Sequence, residues 1–183
     1  MQKNAYVVFV FLLAMWLVYL VDLFIPADLT QFGLVPRSLR GLIGIPASPF
    51  LHGGLWHLIG NTIPLGILMF LTVSSRHKAW PAITAIILIS GSLLWIVGRP
   101  ASHVGASGLV FGLGGYLITV GIRERKLPSL GIALLVTFLF GGTLIGGVVP
   151  AWGGQVSWDG HLCGLIAGVG VGIVTTKKAN AFF

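Results

Sequence analysis

Gly105-Ala106-Ser107-Gly108 heads an apolar, glycine-rich segment that runs to about Gly121. A serine between glycines at a loop-to-helix turn is either a nucleophile or a small residue in a tight helix contact. Gly-x-Ser-Gly alone does not choose between the two. The choice depends on where the chain places His57 with Asn61, and His161.

Composition sets the solvent. Of 183 residues, 56% are hydrophobic and 8% are charged, against about 25% charged in a soluble domain. This is the composition of an integral membrane protein, and the length fits a single domain over residues 1–183. The net charge of +7 is spread in short clusters between apolar runs. That pattern reads as topology signals in a lipid bilayer, not as a nucleic-acid surface. The single cysteine, Cys163, excludes an internal disulfide framework and a cysteine-based metal cluster. His52 and His57 are five apart, unlike the i, i+4 pair of a zinc helix, so no metal site is expected from them.

Apolar runs predict six membrane-spanning helices: Ala5–Ile25, His52–Val73, Pro81–Gly98, Val104–Gly121, Leu130–Val149 and Gly160–Thr176. The first is too long for a signal-peptide core and lacks a small-residue cleavage site, so it reads as a retained span. Twenty-odd residues at about 1.5 Å each match a hydrocarbon core of roughly 30 Å. Pro64 inside the second span predicts a kink that a bundle absorbs. The long connection from Pro26 to Leu51 is too apolar for a solvated linker and is expected to lie against the bundle. Trp152 and Trp158 suit an interfacial aromatic belt.

Lys3, Arg76, Lys78, Arg123, Arg125, Lys126, Lys177 and Lys178 fall on one side of this arrangement. Arg37, Arg40 and Arg99 fall on the other. The asymmetry predicts cytoplasmic termini in a plasma (inner) membrane. The second, fourth and sixth spans then run from outside to inside. His57, Ser107 and His161 start these spans at similar shallow depth near the external face.

Helical phase adds detail. At about 100° per residue, Ser107, Phe111, Gly114 and Gly121 share one face, and His161, Gly164, Gly168 and Gly172 share another. Glycine stripes let helices approach closely. If these faces pack, a histidine reaches a serine hydroxyl, with Phe111 one turn below to support the ring. His57 and Asn61, four apart, share a face and can donate to a developing oxyanion beside the Ser107 amide. Asp159 lies about 200° round from His161 and suits a helix start, which leaves a dyad. Cys163 is read as a packing residue, His77 as a solvated one, and His103 as a polar loop residue.

In order and spacing these motifs resemble the rhomboid intramembrane serine proteases: His52-x4-His57-x3-Asn61, Gly105-Ala106-Ser107-Gly108, and Gly160-His161-x2-Gly164-x3-Gly168. The resemblance covers about His52 to Gly172. It implies an all-α, six-transmembrane-helix rhomboid-like bundle. It also implies Ser107 as nucleophile, His161 as general base and acid, and His57, Asn61 and the Ser107 amide as oxyanion donors. Gly105 would help the turn into the helix, and Gly108 would leave room beside the nucleophile. The implied substrates are transmembrane proteins, cut near small residues at the external surface without metal or cofactor. Two departures stand out. Leu39-Arg40 replaces the Trp-Arg pair common in the first external loop of bacterial members, and Phe111 stands where they often carry Tyr. A rival expectation is a catalytically silent relative that binds transmembrane helices.

Overall fold

The computed structural model describes residues 2–150 and 156–177. The chain forms helix α1 (Gln2–Phe24), a loop containing the short α2 (Gly44–Ala47), then α3 (Leu55–Ser75), α4 (Ala79–Val97), α5 (Ser107–Glu124), α6 (Leu127–Gly146) and α7 (Trp158–Thr175). Among the described residues there is no strand, only one isolated backbone bridge between Leu34 and His103. The protein is a multi-pass, all-helical membrane protein. Among the described residues, five helices, α1, α3, α4, α6 and α7, are long and apolar enough to cross a bilayer.

α5 is the informative exception. It has 18 residues, but its glycines, together with Arg123 and Glu124, dilute its apolar content. Yet most of its length is buried, from Leu109 to Leu117 without a break. It packs against α3, α4, α6 and α7. A helix surrounded by protein does not need the bulky apolar side chains that lipid contact rewards, so its low apolar content follows from its central position. α1 is the opposite case. It packs on α3 at the edge of the bundle, tied by the Trp16 indole donating to Thr62 Oγ1 at 3.1 Å, and exposes Tyr6, Phe9, Leu13 and Leu17.

Lipid removes most of the hydrophobic drive for helices to associate, so close packing and polar ties take its place. The tightest seam joins α5 and α7. A Cβ on Gly164 would run into the Gly108 carbonyl, and one on Gly168 into the Gly112 carbonyl. At the far end of this seam, Arg76 meets Glu124 at 2.7 Å and donates to Ser129 Oγ at 3.0 Å. Ser129 Oγ in turn donates to Glu124 at 2.6 Å. This triangle fastens the end of α3, the end of α5 and the start of α6.

The structure shifts several sequence-based boundaries. α3 begins at Leu55, so His52 precedes the helix and His57 lies in its first turn instead of its second. The seam also differs from the helical-phase expectation. Gly114 faces Leu144 and Gly121 faces Ser129 and Ala133, all on α6. The α7 stripe of Gly164, Gly168 and Gly172 meets Gly108, Gly112, Thr119 and the Tyr116 carbonyl of α5 instead. α5 is glycine-rich on two faces because it has close neighbours on two sides, which a single-stripe projection does not resolve. Trp152 and Lys178 lie outside the described residues.

The connection from Pro26 to Leu51 lies against the bundle through short helical turns. Ile45 packs where a Cβ on Gly91 of α4 would sit, 2.8 Å from its Cγ2, and the Trp95 indole donates to the Ser38 carbonyl at 2.9 Å.

Gly168→Ala is expected to lower stability by roughly 1–3 kcal/mol, the cost of forcing extra volume into a packed contact. Gly170→Ala, where no heavy atom lies within 4 Å of the added carbon, is expected to be neutral. Thermal unfolding of the two variants in detergent measures the difference.

Candidate active site

Ser107 is the first residue of α5, preceded by Gly105 at φ +109°. That backbone conformation disfavours any side chain. A Cβ there would also lie 2.5 Å from His57 Nε2 and 3.5 Å from Asn61 Nδ2. Gly105 is therefore the point where the serine loop meets the start of α3. Its N–H donates to the Ser48 carbonyl at 2.9 Å, so the first long loop holds the turn from the other side.

Asn61 is buried and donates from Nδ2 to the His57 carbonyl at 2.8 Å. The amide carries two hydrogens, and the other remains for a second acceptor. His57 is exposed and its ring meets the His52 ring edge-on at 5.2 Å between centroids. His52 is buried near the Phe50 carbonyl, with no hydrogen bond formed to either ring nitrogen. Its surroundings suit a prop behind His57.

His161 lies in the first turn of α7. Its ring stacks on Phe111 with centroids 4.0 Å apart and planes 8° from parallel. Its Nδ1 lies 2.9 Å from the Gly147 carbonyl. A carbonyl can only accept, so Nδ1 carries the proton and a neutral ring presents the Nε2 lone pair. The α5–α7 seam brings the first turns carrying Ser107 and His161 together, with the Gly160 carbonyl 3.4 Å from a Cβ built on Gly108. Ser107 Oγ and His161 are not hydrogen-bonded in this structure. Such contacts often tighten only when substrate is bound. Gly108 has room for a small side chain at that distance. The tight position in this contact is Gly164, whose own Cβ would strike the Gly108 backbone.

A cavity opens beside Ser107, lined by Ile45 and Ser48 of the first loop, Ser90 and Leu94 of α4, and His103 and Ser157. One wall contains residues that sequence reasoning undervalued. His103 lies in the loop before α5, as expected, but it is buried. Its Nδ1 pairs with Ser157 Oγ at 2.7 Å and its Nε2 with the Arg99 carbonyl at 3.1 Å. Its backbone exchanges two hydrogen bonds with Leu34, at 2.8 and 2.9 Å. Ser157 caps α7 by accepting from the Gly160 N–H at 3.2 Å. Asp159 accepts from the Arg99 N–H at 2.9 Å and from its guanidinium at 3.2 and 3.3 Å. It makes no hydrogen bond to His161. The network fixes the start of α7 to the loop that delivers Ser107, so it sets the position of both groups at once. The Ser157-x-Asp159 spacing before an apolar run was a legible capping signal. Nothing in the sequence marked His103 as its partner.

Cys163 is buried beside Leu34 and Leu94, in keeping with packing, and His77 is exposed. Among the described residues, no cluster of three or more His, Cys, Asp or Glu side chains could hold a metal ion.

A family model for the Rhomboid domain matches residues 40–178. The chain belongs to the rhomboid family. It is 40% identical over 168 residues to an uncharacterized protein of Mycobacterium bovis, covering 87% of this chain and 70% of that protein. It is 33% identical over 133 residues to Rhomboid-related protein 2 of Mus musculus, covering 66% of this chain and 44% of the mouse protein. Rhomboid-related protein 1 of Caenorhabditis elegans is 33% identical over 134 residues, covering 68% of this chain and 37% of the worm protein. This rhomboid-family chain thus shares a core with eukaryotic relatives that are far longer.

His103→Ala removes the hydrogen bonds to Ser157 Oγ and to the Arg99 carbonyl and leaves that carbonyl without its imidazole donor. The expected loss is about 1–3 kcal/mol, read as a lower midpoint of thermal unfolding in detergent, with the helical content of the folded protein unchanged.

Proposed function

We propose that this rhomboid-family protein is an intramembrane serine endopeptidase acting through a Ser107–His161 dyad. The observation that carries the reading is the setting of His161. Its ring is stacked on Phe111 and pinned through Nδ1, and it starts the helix that packs most tightly on the one bearing Ser107. A histidine held only for packing has no need of a fixed tautomer.

In this reading α5 is a sixth span, buried in the middle of the other five. Both termini face the cytoplasm in a plasma (inner) membrane, and Ser107 lies near the external face. A substrate transmembrane segment unwinds locally into the cavity beside Ser107. The Ser107 hydroxyl attacks a peptide carbonyl while His161 Nε2 accepts its proton. His57, the second hydrogen of Asn61 and the Ser107 amide surround the developing oxyanion. His161 then protonates the leaving amine, and water, with its proton taken by the same nitrogen, hydrolyses the acyl-enzyme. Loss of one oxyanion donor typically costs about 10²–10³ in kcat, the drop expected for Asn61→Ala.

A fluorophosphonate probe tests the nucleophile. Wild type is expected to label, with Ser107→Ala unlabelled and His161→Ala strongly slowed. Equal labelling of all three would overturn the proposal. Because His161 must be neutral to accept a proton, labelling should fall on acidification as the ring becomes charged. The rival reading, a silent relative that binds transmembrane helices, draws on the unformed Ser107–His161 hydrogen bond. It predicts no labelling and no cleavage, with transmembrane helices retained in pull-down.

A further inference from the structure

The dyad lacks a carboxylate, so something else must set the histidine. We infer that the Gly147 main-chain carbonyl, at the C-terminal end of α6, is the positioning group for His161, and that the close approach of α6 therefore controls whether the base is set. The inference rests on the protease reading above for its consequence, though not for its geometry.

Gly147 caps α6, its N–H donating to the Thr143 carbonyl at 2.8 Å. Carbonyls in the last turn of a helix have no partner within it, and they carry the negative end of the helix dipole. The Gly147 carbonyl meets His161 Nδ1 at 2.9 Å. It therefore does electrostatically what a triad carboxylate does. It holds the proton on Nδ1, turns Nε2 toward the reacting side, and favours the imidazolium formed during attack. Asp159 is not available, because Arg99 occupies it.

The residue type is constrained as well. Gly147 has an ordinary helical conformation, φ −75° and ψ −15°, so any side chain could adopt it. Space forbids one. A Cβ there would collide with Phe111 Cζ and lie 2.9 Å from Phe111 Cε1. That is the ring on which His161 stacks. Gly147 therefore touches the base twice, through its carbonyl and through the shelf beneath the imidazole.

The placement couples this contact to the bundle. α6 packs mainly on α5 and barely touches α7, so the Gly147–His161 hydrogen bond is a principal tie between α6 and α7. At its other end α6 is fastened by the Arg76–Glu124–Ser129 triangle. If α6 tilts about that fastening, its C-terminal end swings furthest and the Gly147 carbonyl leaves the imidazole. A substrate that displaces α6 would disarm the base until the helix returns.

The test uses the full chain, labelled with ¹⁵N-histidine, in lipid nanodiscs at about pH 8, where an ordinary imidazole is neutral. The His161 signal is assigned by its loss in His161→Gln. In wild type the Nδ1–H tautomer is expected to dominate. Gly147→Ala should shift the ring toward Nε2–H and slow fluorophosphonate labelling of Ser107 at least about tenfold, since small misplacements of a reacting group are costly. Gly146→Ala, where the added carbon meets nothing within 4 Å, should change neither. An Nε2–H tautomer in wild type overturns the inference even if Gly147→Ala fails to fold. A folded Gly147→Ala that keeps wild-type tautomer and labelling also overturns it. If Ser107→Ala labels as well as wild type, the protease reading fails, while the tautomer still decides the role of Gly147.

Discussion

The backbone-to-backbone contact between α5 and α7 is the constraint on which the site depends. Gly164 and Gly168 press against the carbonyls of Gly108 and Gly112, leaving no room for a Cβ at either position. In lipid, where apolar side chains gain little from meeting each other, such contact supplies dispersion and weak Cα–H···O attraction. Its geometric effect matters more than its energy. With the seam closed, the first turns carrying Ser107 and His161 come together.

Two further systems act on that pair. At the Ser107 end, His103, Ser157, Asp159 and Arg99 lock the loop before α5 to the start of α7. The Leu34–His103 bridge extends the lock to the first long loop. On the side facing α6, Phe111 and Gly147 support and orient the imidazole. Phe111 offers the imidazole a stacking surface without a hydroxyl, and the hydrogen bond to the ring comes from the Gly147 main chain. Leu39, exposed, and Arg40, paired with Gln31 at 2.7 Å, lie apart from this machinery.

Much of this was legible in the sequence, for identifiable physical reasons. Apolar runs of bilayer length marked the helices, and the glycine spacing of α7 marked its close-packed face. The Gly-Ala-Ser-Gly turn, the His57–Asn61 pair and His161 were visible as polar groups at one end of three helices. Other features were not legible. The partner face on α5 was misassigned at Gly114 and Gly121, because a helix with neighbours on two sides carries two overlapping glycine stripes. The burial of His103 within its loop gave no signal, because its partners, Ser157 and Leu34, lie 54 and 69 positions away in the chain. Gly147 gave no signal, since a main-chain carbonyl has no sequence signature.

The most direct measurement of the central claim is an experimental structure of the protein after reaction with a fluorophosphonate. The dyad predicts a covalent bond from Ser107 Oγ to phosphorus, His161 Nε2 within hydrogen-bond distance of the adduct, and a phosphonyl oxygen facing Asn61 Nδ2 and the Ser107 N–H. A probe attached to another residue, or bound at Ser107 with its phosphonyl oxygen turned away from Asn61 and His161, would contradict it.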